Sequence, residues 1–140
     1  MAVAVPAVRI FPMSDRAEGF VGRSIDDVQR TLFPRDLPRS GGRWRYPRQG
    51  SNADAGTIVL FQFKARVVAC ATFLRDEGAD GDRAGTLCFD PASIRTFEPW
   101  DVAAMRQVWP SLRAFGHVKQ RLNPTLYPAF RRRLRSVQVP

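Results

Sequence analysis

The stretch GTIVLFQFKARVVACATFL, Gly56 to Leu74, decides the fold. Thr57, Val59, Phe61 and Phe63 alternate with Ile58, Leu60 and Gln62, so an extended chain here is largely apolar on both sides. That pattern marks a strand covered on both faces. Lys64-Ala65, or a neighbouring pair, is placed to turn the chain, and Arg66 to Phe73 returns as a second strand. A buried hairpin is therefore the centre of the molecule.

Shorter elements flank it. Val3 to Phe11 is apolar and β-branched, which predicts a first strand ended by Pro12. Ser24 and Asp27 form a capping-box variant that opens a short helix through roughly Thr31, with Ile25, Val28 and Leu32 on one face. Phe33-Pro34 to Gly42 reads as a loop. Asp76 to Gly85 reads as a flexible acidic connection, and Thr86–Phe89 and Ile94–Phe97 as short strands around the turn Asp90-Pro91-Ala92-Ser93. Helical spacing returns at Pro99–Trp109. Asn123-Pro124 caps a terminal helix whose buried stripe is Leu126, Phe130 and Leu134. The expected architecture is α+β, a small twisted β-barrel of about five strands with short helices at its ends. Residues 1–140 form a single domain with a basic C-terminal helical segment at about 99–136.

Charge is distributed unevenly. The chain has 22 basic and 13 acidic side chains and a formal net charge of +9. Asp101 is the last carboxylate side chain; Arg106, Arg113, Lys119, Arg121, Arg131, Arg132, Arg133 and Arg135 follow it. A field this one-sided concentrates polyanions, and phosphate backbones are the commonest polyanion a soluble protein meets. Codon bias in a GC-rich genome accounts for Arg in place of Lys but not for the loss of carboxylates. A nucleic-acid partner, DNA or RNA, is the first expectation. The alternative is a protein-interaction module whose Arg-rich helix grips an acidic partner, for instance in a restriction or toxin–antitoxin-like system.

Other classes find less support. Cys70 and Cys88 sit in apolar runs without CxxC spacing and read as buried hydrophobes of a reducing compartment. The N-terminus lacks a basic n-region, and no apolar run approaches membrane-spanning length, so no membrane is expected and the localisation reads as cytoplasmic. His117 stands alone, no nucleophile–base pair is suggested by spacing, and neither a metal site nor another cofactor is expected. Asp54 followed by Gln62-Phe63-Lys64 is the strongest enzymatic arrangement, a degenerate metal-dependent nuclease with only one acidic ligand. Enzyme activity is not expected.

Arg43-Trp44-Arg45-Tyr46-Pro47-Arg48 interleaves guanidinium groups with aromatic rings. In a strand, Trp44 and Tyr46 share one side, offering a stacking surface for an unstacked base, while the Arg side chains hold phosphates. Trp44 reads equally well as core beside a polar turn. Asn52 has the donor and acceptor to read a base edge, or serves as a turn residue.

Val8-Arg9-Ile10-Phe11-Pro12-Met13-Ser14, the loop with Trp44, Asp54-Ala55-Gly56 leading into the hairpin, and the strand returning to Phe73 together resemble the PUA-like superfamily, which includes EVE, ASCH and YTH domains. The resemblance covers about residues 8–97. It implies a small β-barrel with a pocket for one nucleotide base, often modified, in an aromatic cage. Trp44 matches the loop aromatic, and the polar pocket residues fall near Ser14 and Asn52. Domains of this kind precede HNH nucleases in restriction systems, but no HNH motif follows here. The resemblance therefore implies binding rather than cleavage.

Overall fold

Strand β3 (Ile58–Phe63) and strand β4 (Arg66–Gly78) form the expected hairpin, joined by Lys64-Ala65. Both turn residues have positive φ, 50° and 58°, the conformation that matches the twist of a two-residue hairpin. Neither is glycine, so each carries the steric cost of a left-handed side chain. Ala65→Gly is expected to stabilise the domain by about 1 kcal/mol, read as a higher denaturant midpoint at unchanged slope.

The computed structural model describes residues 7–13, 22–46, 53–78, 85–116 and 120–136. The remaining strands are β1 (Val8–Met13), β2 (Arg43–Tyr46), β5 (Gly85–Phe89), β6 (Arg95–Trp100) and β7 (Gln120–Leu122). They assemble in the order β2-β5-β4-β3-β1-β7, with β6 also paired to β4. The long strand β4 is shared: Val67–Cys70 pairs with β6, and Phe73–Gly78 pairs with β5 beyond an irregularity at Leu74. The architecture is α+β, but among the described residues the seven-stranded sheet is open rather than a closed barrel, and it has more strands than the five expected. β7 is only three residues long and polar at two of them, too short for a periodic signal.

Boundaries also shift. β1 runs through Pro12 instead of ending before it. Its ladder with β7 stops at Ile10, so the missing N–H of Pro12 falls where that edge is open. The first helix does not stop near Thr31. From α1 (Ile25–Asp27) it continues as a π-helix over Val28–Asp36 into α2 (Leu37–Arg39), where a loop was expected. An α-helix would set Pro34 against a carbonyl four residues back. The wider coil, seen where Leu37 N–H donates to Leu32 O, accommodates it. The Ser24 cap forms as expected, Oγ accepting from Asp27 N–H at 3.0 Å, while the Asp27 carboxylate pairs instead with Arg23.

Two helices complete the fold, α3 (Val102–Val108) and α4 (Tyr127–Arg132). Alternation along the strands sorts the core into two layers. Phe11, Val59, Phe61, Phe63, Ala71 and Phe73 pack under the helix of residues 25–39. Val8, Ile10, Leu60, Val67 and Cys70 pack with residues of α3 and α4. The β4 ladder shifts register against β6 between Val67 and Ala69. Gln29, 3% exposed, reaches in from the π-helix and donates to Val68 O at 3.0 Å and Phe97 O at 2.6 Å. Gln29→Leu leaves both carbonyls buried without this donor and is expected to cost about 2–4 kcal/mol in chemical denaturation.

Candidate nucleic-acid interface

The C-terminal basic surface is placed by one aromatic ring. Phe130 is fully buried, and its centroid lies 4.7 Å from Trp100, 5.3 Å from Trp109, 5.6 Å from Phe97 and 6.1 Å from Tyr127. The segment entering α4 is set by Asn123, whose Oδ1 accepts from Thr125 N–H at 3.0 Å and whose carbonyl accepts from the Trp109 indole at 2.9 Å. A 3-10 turn at Pro124–Leu126 precedes the helix. With Phe130 and Tyr127 turned inward, Arg131, Arg132 and Arg133 are left exposed. The helix is shorter than expected. Arg133 caps it and Arg135 lies beyond, where its carbonyl accepts Glu98 N–H at 2.7 Å and ties the tail to β6.

Among the described residues, ion pairs join side chains between positions 23 and 77 only. No described carboxylate therefore neutralises the exposed guanidinium groups of α4 within bonding distance. Arg106 is used structurally, donating to the carbonyls of Leu112 and Arg113.

Beside α4 opens a cleft of about 370 Å³, walled by Ile58, Thr72, Ser93, Arg95, Tyr127 and Arg131 among others. Cys70 also lines it, with Tyr127 and Arg131 close enough to influence its thiol. Burial pushes the Cys70 thiol up to about 11, so it stays neutral and unreactive at physiological pH. Burial, and then the neighbouring Cys70, also raise Tyr127 above the usual phenol range, with Arg131 opposing. Tyr127 is thus a neutral hydroxyl in a cleft shared with the guanidinium groups of Arg95 and Arg131. Ser93 Oγ accepts from Thr72 N–H at 2.7 Å and fixes the opposite wall. The cleft offers positive charge and hydroxyl groups within one concavity, the chemistry that holds a phosphate or a polar base edge.

The second expected site has a different setting. β2 is a strand, and Trp44 is half-buried against the layer that contains Phe61, Leu87 and Phe89. α4 belongs to the other layer. Arg43 is exposed but held by Glu77, whose carboxyl is pulled below the usual range by its hydrogen bond to Arg75, with Arg43 adding to the effect. The backbone of Arg45 and Tyr46 belongs to β2; their side chains, and all of Ser14, Arg48, Asn52 and His117, lie outside the described residues. Asp54 and Lys64 lie at opposite ends of β3, roughly 20 Å apart by strand rise, so they do not meet as a nuclease pair. Among the described residues no three His, Cys, Asp or Glu side chains are grouped to hold a metal. No described helix is long and apolar enough to cross a membrane.

Sequence reasoning did not find Arg95, Tyr127, Thr72 or Ser93. They come from four separate segments, and only the hairpin's pairing with β6 and the docking of α4 bring them together. The resemblance to PUA-like domains is supported at the level of fold. A solved structure described as ASCH from Zymomonas mobilis superposes with a TM-score of 0.55 and 7% sequence identity, covering 94% of this chain and 98% of that one. No family model and no curated protein matches the sequence. The chain shares the fold of an ASCH domain.

Proposed function

We propose that this domain binds nucleic acid, with strand phosphates held by Arg131, Arg132, Arg133 and Arg135 and a nucleotide entering the cleft between Arg95 and Tyr127. The observation that carries the reading is the exposed arginine surface of α4, without a paired carboxylate among the described residues, with Arg131 itself lining that cleft. Guanidinium forks bind phosphate bidentately and stack on bases, and the ASCH-like fold agrees with such a partner. A base contact in the PUA-like manner would come from β2 and its flanks: Trp44 and Tyr46 stacking, Asn52 and Ser14 reading the edge, Arg43, Arg45 and Arg48 on phosphates. Whether the strand is RNA or DNA belongs to the same test.

That test is fluorescence anisotropy with labelled single-stranded RNA, single-stranded DNA and duplex DNA, with poly-glutamate as a competitor. The reading expects at least one single-stranded ligand to bind and to resist poly-glutamate of equal charge. Displacement by poly-glutamate at equal charge, with no preference among oligonucleotides, would instead favour an acidic protein partner.

A further inference from the structure

A second basic site lies on the other side of β3. Arg9 of β1 stands directly opposite Arg121 of β7 in the antiparallel register. Facing residues on neighbouring strands have Cβ atoms about 4.5–5.5 Å apart, and like charges so placed repel. Neither guanidinium forms an ion pair among the described residues. Arg9 Nε is buried and has no hydrogen-bond partner among those residues, although the guanidinium carbon sits 5.8 Å from the Phe11 ring centroid. Burial, and then Arg121, lower the Arg9 pKa, so both features work against the charge the fold has placed there. Both arginines line a cleft of about 250 Å³ with Thr57, Asp54 and Pro124. Asp54 contributes one negative charge to two positive ones. Repulsion, an orphaned donor and an adjoining concavity all have one remedy, an oxyanion between the two guanidinium forks.

We propose that the cleft between Arg9 and Arg121 is a phosphate-binding site, separate from the one at α4. The choice of phosphate over another oxyanion rests on the nucleic-acid reading; the anion site itself does not. Thr57 lines this cleft and Ile58 the α4 cleft, while Pro124 and Tyr127 line one each. The two sites therefore flank the start of β3, where one strand could meet both.

The test compares thermal unfolding of wild type, Arg121→Gln and Arg131→Gln in sodium chloride and in sodium phosphate of equal ionic strength. Arg121 is exposed, so its replacement leaves the core intact. In low-salt chloride, Arg121→Gln is expected to raise Tm by about 1–3 °C, because a repulsion is removed. Phosphate is expected to raise the Tm of wild type and of Arg131→Gln more than that of Arg121→Gln. An equal phosphate response in wild type and Arg121→Gln overturns the site, as does a Tm lowered by that substitution in chloride. Oligonucleotide anisotropy separates the two readings. If no oligonucleotide binds wild type but the selective phosphate response persists, the α4 reading fails and this anion site stands.

Discussion

Phe130→Ala is expected to cost about 3–5 kcal/mol. The ring is fully buried and touches four other aromatic side chains, from β6, the end of α3 and α4 itself. Removing it opens a cavity that rigid rings cannot close by small movements. A domain of this size is stable by only about 5–15 kcal/mol, so a substantial share of the total goes with one side chain. Equilibrium denaturation followed by tryptophan fluorescence checks this, since Trp100 and Trp109 both lie beside the cavity. Phe130→Leu, which keeps much of the volume, should cost about 1–2 kcal/mol. If both substitutions cost the same small amount, α4 is not anchored through this ring. The α4 arginines would then lack the fixed position that the proposed interface needs.

The second large effect concerns ligand rather than stability. Replacing Arg131, Arg132, Arg133 and Arg135 together by Gln should leave the melting midpoint nearly unchanged, because all four are exposed and none is paired with a carboxylate among the described residues. Oligonucleotide affinity at low salt should fall on the order of a hundredfold, and the slope of log K against log salt should flatten by roughly 3 units if each guanidinium neutralises one phosphate. A variant that binds with the wild-type slope would mean these groups are simply solvated. Arg135 is the sensitive member of the set. It lies beyond the end of α4, and its backbone carbonyl is tied to Glu98 of β6, which fixes where its side chain departs.

Much of this fold could be read from residue order. The hairpin was legible because Thr57 to Phe63 alternates with apolar residues on both sides, and its two-residue turn falls at Lys64-Ala65. Asn123 announces its cap by residue type alone, and its Oδ1 accepts a backbone N–H as expected. The helix through Pro34 was not legible, because proline ordinarily ends an α-helix and nothing local signals the switch to a wider coil. Closure was also misjudged. Whether a sheet closes depends on how its end strands meet, and here β4 divides its outer edge between β5 and β6. The arginine-rich tail was visible from composition, but the cleft beside it was not. Tyr127 and Arg95 are 32 positions apart and carry no motif. The Arg9–Arg121 opposition was equally hidden, since it depends on the register of a three-residue strand.

The most direct test of the proposed interface is a nitrogen-15 NMR titration that follows arginine Nε–H and backbone amide signals as a single-stranded oligonucleotide is added. The account predicts that Arg95, Arg131, Arg132, Arg133 and Arg135 shift together with the amides of Thr72 and Ser93, and that the shifts shrink as salt is raised. Shifts confined to β2, or none at these positions under conditions where the oligonucleotide is bound, would contradict it.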